Sequence, residues 1–176
     1  MAPASQLPRS RTTDGPYRVA VVCLGNICRS PIAHVVLRRA LERAGISDRV
    51  EVDSSGTGDW HLGHPMDRRA AAVLAGAGYD GSAHRAQQFT EDWYDRHDLI
   101  LAMDENNFRD ISALAPDQGT ATERVRMFRD FDPHADFGDR EVPDPYYGGD
   151  DGFTHVLRIV ERASEGLANA LAEHLR

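Results

Sequence analysis

Apolar positions along this chain fall into short continuous runs, separated by stretches in which they recur every three or four residues. The first run, residues 19–22 (Val-Ala-Val-Val), is mostly β-branched, stops at Cys23 and reads as a buried strand. Ile32, Val35, Val36, Ala40 and Leu41 then recur at helical spacing as far as Gly45, with Ser30 suited to the N-cap and Pro31 to the first helical position. Residues 50–54 read as a second strand, followed by a polar, glycine-rich loop over residues 55–64. Pro65, Met66 and Asp67 open a second helix with Ala71, Leu74 and Ala75 on one face, ending at residues 76–78. Thr90 caps a short helix whose Trp93 is read as core, and residues 98–103 form a third strand, apolar throughout and therefore buried on both faces. Asp104 caps a helix over residues 105–115 that Pro116 ends, and residues 125–128 form a short fourth strand. Residues 150–176 place Phe153, Val156, Leu157, Val160, Leu167, Leu171 and Leu175 at helical intervals, an amphipathic helix that closes the core.

Strands that alternate with helices predict an α/β fold, a parallel sheet covered on both faces, with a site at the carboxyl ends of the strands. At 176 residues the chain suits one domain. Residues 1–16 lack periodicity and an apolar signal core, and read as a disordered N-terminal tail ahead of a domain over residues 17–176.

The chemistry concentrates where the first strand meets the first helix. A tight loop from Cys23 to Ser30 lies over a helix N-terminus, where backbone amides and the helix dipole favour an anion. Arg29 can bind two phosphate oxygens in parallel, and such a field lowers a thiol pKa from about 8.5 to roughly 3.5 to 7.5, so Cys23 is expected as a thiolate beneath a bound phosphorus.

Composition narrows the setting. The formal net charge is −8, and the 20 basic residues are all arginines scattered along the chain, which argues against a nucleic-acid partner. Hydrophobic residues make up 41%, and no run approaches a membrane span. The two cysteines, Cys23 and Cys28, share one loop and cannot staple distant parts of the fold, so a reducing, cytoplasmic compartment is expected. His61 and His64 lack a further local ligand and read as rim or structural residues rather than a metal pair. The acidic stretch over residues 130–151 spaces Asp130, Asp132 and Glu141 like a calcium loop, but Ala135 stands where glycine is required and Pro133 intrudes. No metal and no cofactor are expected. A loop of that length inside a compact domain points to function.

The stretch Val22-Cys23-Leu24-Gly25-Asn26-Ile27-Cys28-Arg29-Ser30-Pro31, together with Asp144-Pro145-Tyr146-Tyr147-Gly148 near the end of the chain, resembles the low-molecular-weight protein tyrosine phosphatases. The resemblance implies a strand order of 2-1-3-4 and a monomer acting on phosphotyrosine in proteins. It implies Cys23 as nucleophile, Arg29 as phosphate clamp and Asp144 as the acid that protonates the departing phenol, then as the base toward water that hydrolyses a phosphocysteine. Leu24, Gly25, Asn26, Ile27, Cys28 and Ser30 make up the rest of the phosphate loop, with Asn26 holding its shape and Ser30 hydrogen-bonding the sulfur. His84 is matched to a supporting bond behind that loop, Asp104, in a Met-Asp-Glu-x-Asn stretch similar to the family's, to ordering the loop beside its simpler capping role, and Trp60, Tyr146 and Tyr147 to the walls of the substrate cleft. Trp60 alone would read as packed beneath its loop.

Other readings are open to the same motifs. A thioredoxin-coupled arsenate reductase of this fold needs further cysteines downstream, and none follows Cys28. A protein-arginine phosphatase shares both motifs but carries Thr where this chain has Ile27, a residue expected to face the incoming side chain. A non-catalytic phosphate-binding module would have no use for Cys23, Arg29 and Asp144 together.

Overall fold

The computed structural model describes residues 6–136 and 138–176. Its centre is a four-stranded parallel sheet in the order β2-β1-β3-β4, built from β1 (Tyr17–Cys23), β2 (Val50–Gly56), β3 (Leu99–Ala102) and β4 (Val125–Met127). Register pairs Val19 with Val52 on one side of β1 and with Leu99 on the other. Successive side chains of a strand point to opposite faces, and the core divides accordingly. Val19, Val21, Leu99 and Leu101 pack beneath α1 (Arg29–Arg43) and α6 (Asp150–His174), with Ile32, Leu37, Val156 and Val160 in the same cluster. Ala20, Val22, Ile100 and Ala102 face Phe89, Trp93 and Tyr94 around α3 (Trp93–Arg96), and Ile111 of α4 (Glu105–Ala113). Trp93 is a core residue as read from sequence, stacked on His97 with ring centroids 4.6 Å apart. With both faces covered, β1 and β3 carry apolar residues without alternation.

The remaining helices are α2 (Arg68–Gly76) and α5 (Gln118–Arg124), the latter absent from the periodicity reading because its short sequence carries no apolar stripe. Asp117 starts α5 by accepting from the Thr120 N–H. Strand β2 runs two residues beyond the expected end, and its polar Ser54 and Ser55 are buried there, with the Ser54 carbonyl accepting from the Gln87 side chain and the Ser55 carbonyl from the Ser30 hydroxyl. Among the described residues no helix is long and apolar enough to cross a membrane.

The expected tail over residues 1–16 is corrected for residues 6–16, which run against the domain. Leu7 is buried in the core, and the Tyr17 hydroxyl donates to the Pro8 carbonyl at 2.8 Å. Arg124 donates to the Arg9 carbonyl, while the Asp98 carboxylate accepts from the backbone N–H groups of both Arg11 and Arg18. A segment without periodicity is ordered by one apolar anchor and by charged side chains that satisfy its backbone. Residues 1–5 lie outside the described residues.

The acidic stretch is likewise held by arginines. Asp132 is fully buried as a side chain, and its carboxylate takes bonds from Arg129 at 3.1 Å and Arg162 at 3.0 Å. Burial pushes its carboxyl up, but Arg162, the His134 N–H and Arg129 together hold it below the usual range.

Candidate active site

β1 lies between β2 and β3, so the chain leaves its carboxyl end toward one neighbour and later returns to the other, opening a crevice there. The loop between β1 and α1 occupies that crevice. Its carbonyls are engaged from outside: Cys23 O accepts from Thr57 N, Leu24 O from Gly58 N, Ile27 O from Asp67 N and Cys28 O from Ile32 N. The Asn26 carbonyl accepts from His84 Nε2 at 2.7 Å. In a trans peptide the N–H points opposite to the C=O, so the amides of Leu24, Gly25, Ile27, Cys28 and Arg29 turn inward. Backbone amides gathered in this way favour an anion.

Asn26 makes this path feasible. It is the non-glycine residue among those described with a positive φ, +56°, and it is fully buried. The left-handed conformation is tolerated by Asn better than by most residues, at a cost of about 1 kcal/mol or more. The bonds that hold it are specific: Oδ1 accepts from Gln87 N at 2.9 Å, Nδ2 donates to Ser30 Oγ at 2.7 Å, and its carbonyl takes the His84 bond. Because a carbonyl only accepts, His84 carries its proton on Nε2. Burial and Arg85 keep that imidazole below its usual pKa, against the opposing effect of the Asn26 bond.

The expected N-cap role of Ser30 is corrected. Helix α1 begins at Arg29, with Cys28 at the N-cap and no side-chain cap, so Ser30 and Pro31 lie within the first turn. The hydroxyl is used elsewhere: it lies 3.0 Å from Cys23 Sγ and 3.2 Å from the Ser55 carbonyl while accepting from Asn26. With one proton and two acceptors in reach, it can turn that proton to sulfur when charge collects there.

Arg29 is clamped from behind. One guanidinium nitrogen donates to Asp104 Oδ2 at 2.6 Å and to the Val142 carbonyl at 3.0 Å, and the other lies 3.7 Å from Asp144 Oδ2. Burial alone would weaken its charge, but Cys23, the Asp104 bond and Asp144 raise its pKa above the ordinary value. Asp104 performs two tasks at once, since its other oxygen accepts from Asn107 N and caps α4. The Cys28 thiol is pushed up, first by burial and then by Asp67, Cys23 and Asp144, so it stays protonated beside the loop.

Cys23, Cys28, Arg29 and Asp144 all border one cleft of about 360 Å³, with Leu24, Gly25 and Ile27 beside them. Trp60, His61, Tyr146 and Tyr147 form its walls. Trp60 is 66% exposed and Tyr147 93%, so the indole is a wall of the cleft and not a plug beneath its loop. Asn26, Ser30 and His84 do not line the cleft and are joined by bonds within and behind the loop.

Gln87, Ser55, Gly56 and the Val142 carbonyl were not marked by the sequence. His61, read as a rim residue, borders the cleft, and its ring lies 6.3 Å from that of Tyr146. Asp104, read as a cap and as a support for the loop, bonds Arg29 as well as the Asn107 N–H, whereas Gln87, Ser55 and the Val142 carbonyl reach the site only through folding. Gly56 ends β2 so close to the loop that a Cβ there would lie 2.6 Å from the Leu24 carbonyl oxygen. A glycine following two strand serines was the one available signal.

Residues 18–176 match the family model of the low molecular weight phosphotyrosine protein phosphatases. A low molecular weight protein-tyrosine-phosphatase from Streptomyces coelicolor is 50% identical over 159 residues, covering 90% of this chain and 96% of the relative. Low molecular weight protein-tyrosine phosphatase A from Mycobacterium tuberculosis is 41% identical over 160 residues, covering 91% and 94%. Among solved structures, a protein tyrosine phosphatase from Entamoeba histolytica with Hepes in its active site superposes with a TM-score of 0.83 at 32% identity, covering 91% of this chain and 99% of that one. YfkJ from Bacillus subtilis superposes with a TM-score of 0.84 at 28% identity, covering 94% and 100%.

Proposed function

The chain belongs to the low molecular weight phosphotyrosine protein phosphatase family, and from that premise we propose that it hydrolyses phosphotyrosine in proteins through a phosphocysteine intermediate. One observation carries the reading: Cys23, Arg29 and Asp144 border the same cleft, with the Ser30 hydroxyl 3.0 Å from the sulfur.

In the first step the Cys23 thiolate, the form in which sulfur is nucleophilic, attacks phosphorus in line. The S–P bond forms as the P–O bond to the phenol breaks, and Asp144 gives its proton to the leaving oxygen. Phenol has a pKa of about 10, so an unprotonated departure in a confined site would be costly. In the second step Asp144 takes a proton from water as its oxygen attacks phosphorus, the S–P bond breaks, and phosphate leaves. Arg29 and the inward amides meet the charge on the equatorial oxygens in both steps, which leaves no task for a metal. The Ser30 proton eases departure of the sulfur.

The aromatic walls favour a phenyl phosphate, and their depth keeps a shorter phosphoserine from the sulfur. Ile27 offers the guest an apolar surface, which suits a ring better than the guanidinium of phosphoarginine. Each catalytic group comes from one chain, consistent with a monomer, and a reactive thiol beside a second thiol suits a reducing, cytoplasmic setting.

The test is a rapid-quench experiment with nitrophenyl phosphate. A burst of nitrophenol, stoichiometric with protein and absent from Cys23→Ser and Arg29→Lys, is expected. Turnover surviving in Cys23→Ser would refute the covalent route, and full activity in the presence of a chelator is expected alongside.

A further inference from the structure

The segment that carries Asp144 is fastened by an arginine for which the chemistry above has no use. Arg69, in the first turn of α2, grips the Asp67 carboxylate with two bonds, Nε to Oδ1 and Nη2 to Oδ2, each 3.1 Å. The same guanidinium crosses to the acid loop, where Nη2 donates to the Tyr146 carbonyl at 2.9 Å and Nη1 to the Gly148 carbonyl at 3.2 Å. Its flat face lies over the rings of Phe153, at 4.6 Å, and Tyr146, at 5.6 Å. At either end the chain of contacts continues into the site. The Tyr146 N–H donates to Asp144 Oδ1 at 3.1 Å, and the Asp67 N–H donates to the Ile27 carbonyl of the phosphate loop at 2.8 Å.

We propose that Arg69 is a positioning residue, setting the Asp144 carboxyl against the phosphate held over Cys23 and so governing proton transfer to the leaving group. The proposal rests on the role of Asp144 as acid described above. A guanidinium suits the task because its planar donors meet one carboxylate and two carbonyls at fixed angles, which a single ammonium cannot do. The carboxylate of Asp144 is 39% exposed and bonded to its own loop, so its placement depends on what holds Tyr146. Substitution of Arg69 does not undo α2. The Asp67 cap is made to the backbone N–H of residue 69, whatever its side chain, and the Arg69 side chain is 31% exposed.

The experiment compares kcat/KM for phenyl phosphate and for dinitrophenyl phosphate, whose leaving group needs no proton, in wild type, Arg69→Gln, Arg69→Lys, Asp144→Asn and the Arg69→Gln/Asp144→Asn double variant. Misplacing a catalytic group by about 1 Å can cost roughly 100-fold, so Arg69→Gln is expected to lose about 10- to 100-fold on phenyl phosphate. On dinitrophenyl phosphate it should stay within about threefold, and in the Asp144→Asn background the second change should add no more than about twofold. Arg69→Lys keeps the charge and the stem and should fall in between, with the same leaving-group dependence. Equal losses on both substrates, or losses that multiply in the double variant, overturn the proposal, because a purely structural arginine would behave that way. Leaving-group dependence in Asp144→Asn without it in either Arg69 variant overturns the Arg69 proposal alone. Its absence in Asp144→Asn overturns the acid assignment and this proposal with it.

Discussion

Asp104→Asn isolates the contribution of the carboxylate behind the phosphate loop. Asn caps a helix about as well as Asp, so its one amide oxygen keeps the start of α4, whereas the NH2 that replaces Oδ2 cannot accept and the bond of 2.6 Å to Arg29 is lost. The Arg29 side chain is 3% exposed, so water cannot take over. A hydrogen bond to a charged group contributes about 1.5 to 3 kcal/mol, and stranding a buried charge entirely costs about 3 to 5. The lower range applies, because Arg29 keeps the Val142 carbonyl, Asp144 at 3.7 Å and the Cys23 sulfur. For a chain of this size a loss of about 1.5 to 3 kcal/mol lowers Tm by roughly 3 to 12 °C. A bound phosphate restores a partner to Arg29, so inorganic phosphate should raise Tm more in the variant than in wild type. Thermal and urea unfolding with and without phosphate measure both effects. A stability change below about 0.5 kcal/mol, or equal stabilisation of both proteins by phosphate, would refute the argument that Asp104 neutralises a buried charge.

Ile27→Thr should narrow the preference for phosphotyrosine over phosphoarginine peptides in kcat/KM, since desolvating a guanidinium against an unpartnered apolar surface costs about 1 to 3 kcal/mol. Faster hydrolysis of phosphoarginine by the wild-type protein would overturn the substrate assignment while leaving the catalytic residues standing. His34 is lowered to about 4 by burial, helped by Arg38 and His84 and opposed by Asp53, while its ring faces the Ser54 hydroxyl at 3.3 Å. In the unfolded chain it titrates near 6.5, so between those values the unfolded state binds the proton more tightly and stability falls as pH drops from about 6.5 to 4. His34→Gln should flatten urea midpoints across that window, and an unchanged slope would show that His34 is not the group responsible. Leu7→Ala should cost about 2 kcal/mol, at the low end for a core leucine because Leu7 keeps 8% of its surface exposed, and unaltered unfolding would show that the segment contributes nothing.

Local chemistry made the loop between β1 and α1 legible. Cys23, Arg29 and the helix that follows lie within one stretch of chain, so spacing alone brought a thiol, a guanidinium and a helix N-terminus together at the border of one cleft. The strands and the final helix could also be read directly, because burial on both faces writes continuous apolar runs and one-sided burial writes a helical stripe. The N-terminal segment was misread for the converse reason: residues 6–16 are ordered by Asp98 and Arg124, which lie far along the chain and leave no periodicity in the segment itself. Ser30 has the composition of a cap, yet its hydroxyl is claimed by Asn26 and the sulfur, a choice made only once the loop closes on itself. Arg69 is likewise an ordinary surface arginine until folding brings the Tyr146 carbonyl within reach. Residue types and short spacings are properties of the chain and set which groups can react. The contacts that hold Arg29 from behind join residues 75 and 113 positions apart along the chain, Asp144 comes up beside it from the same distant stretch, and only the packed sheet and its helices determine those distances.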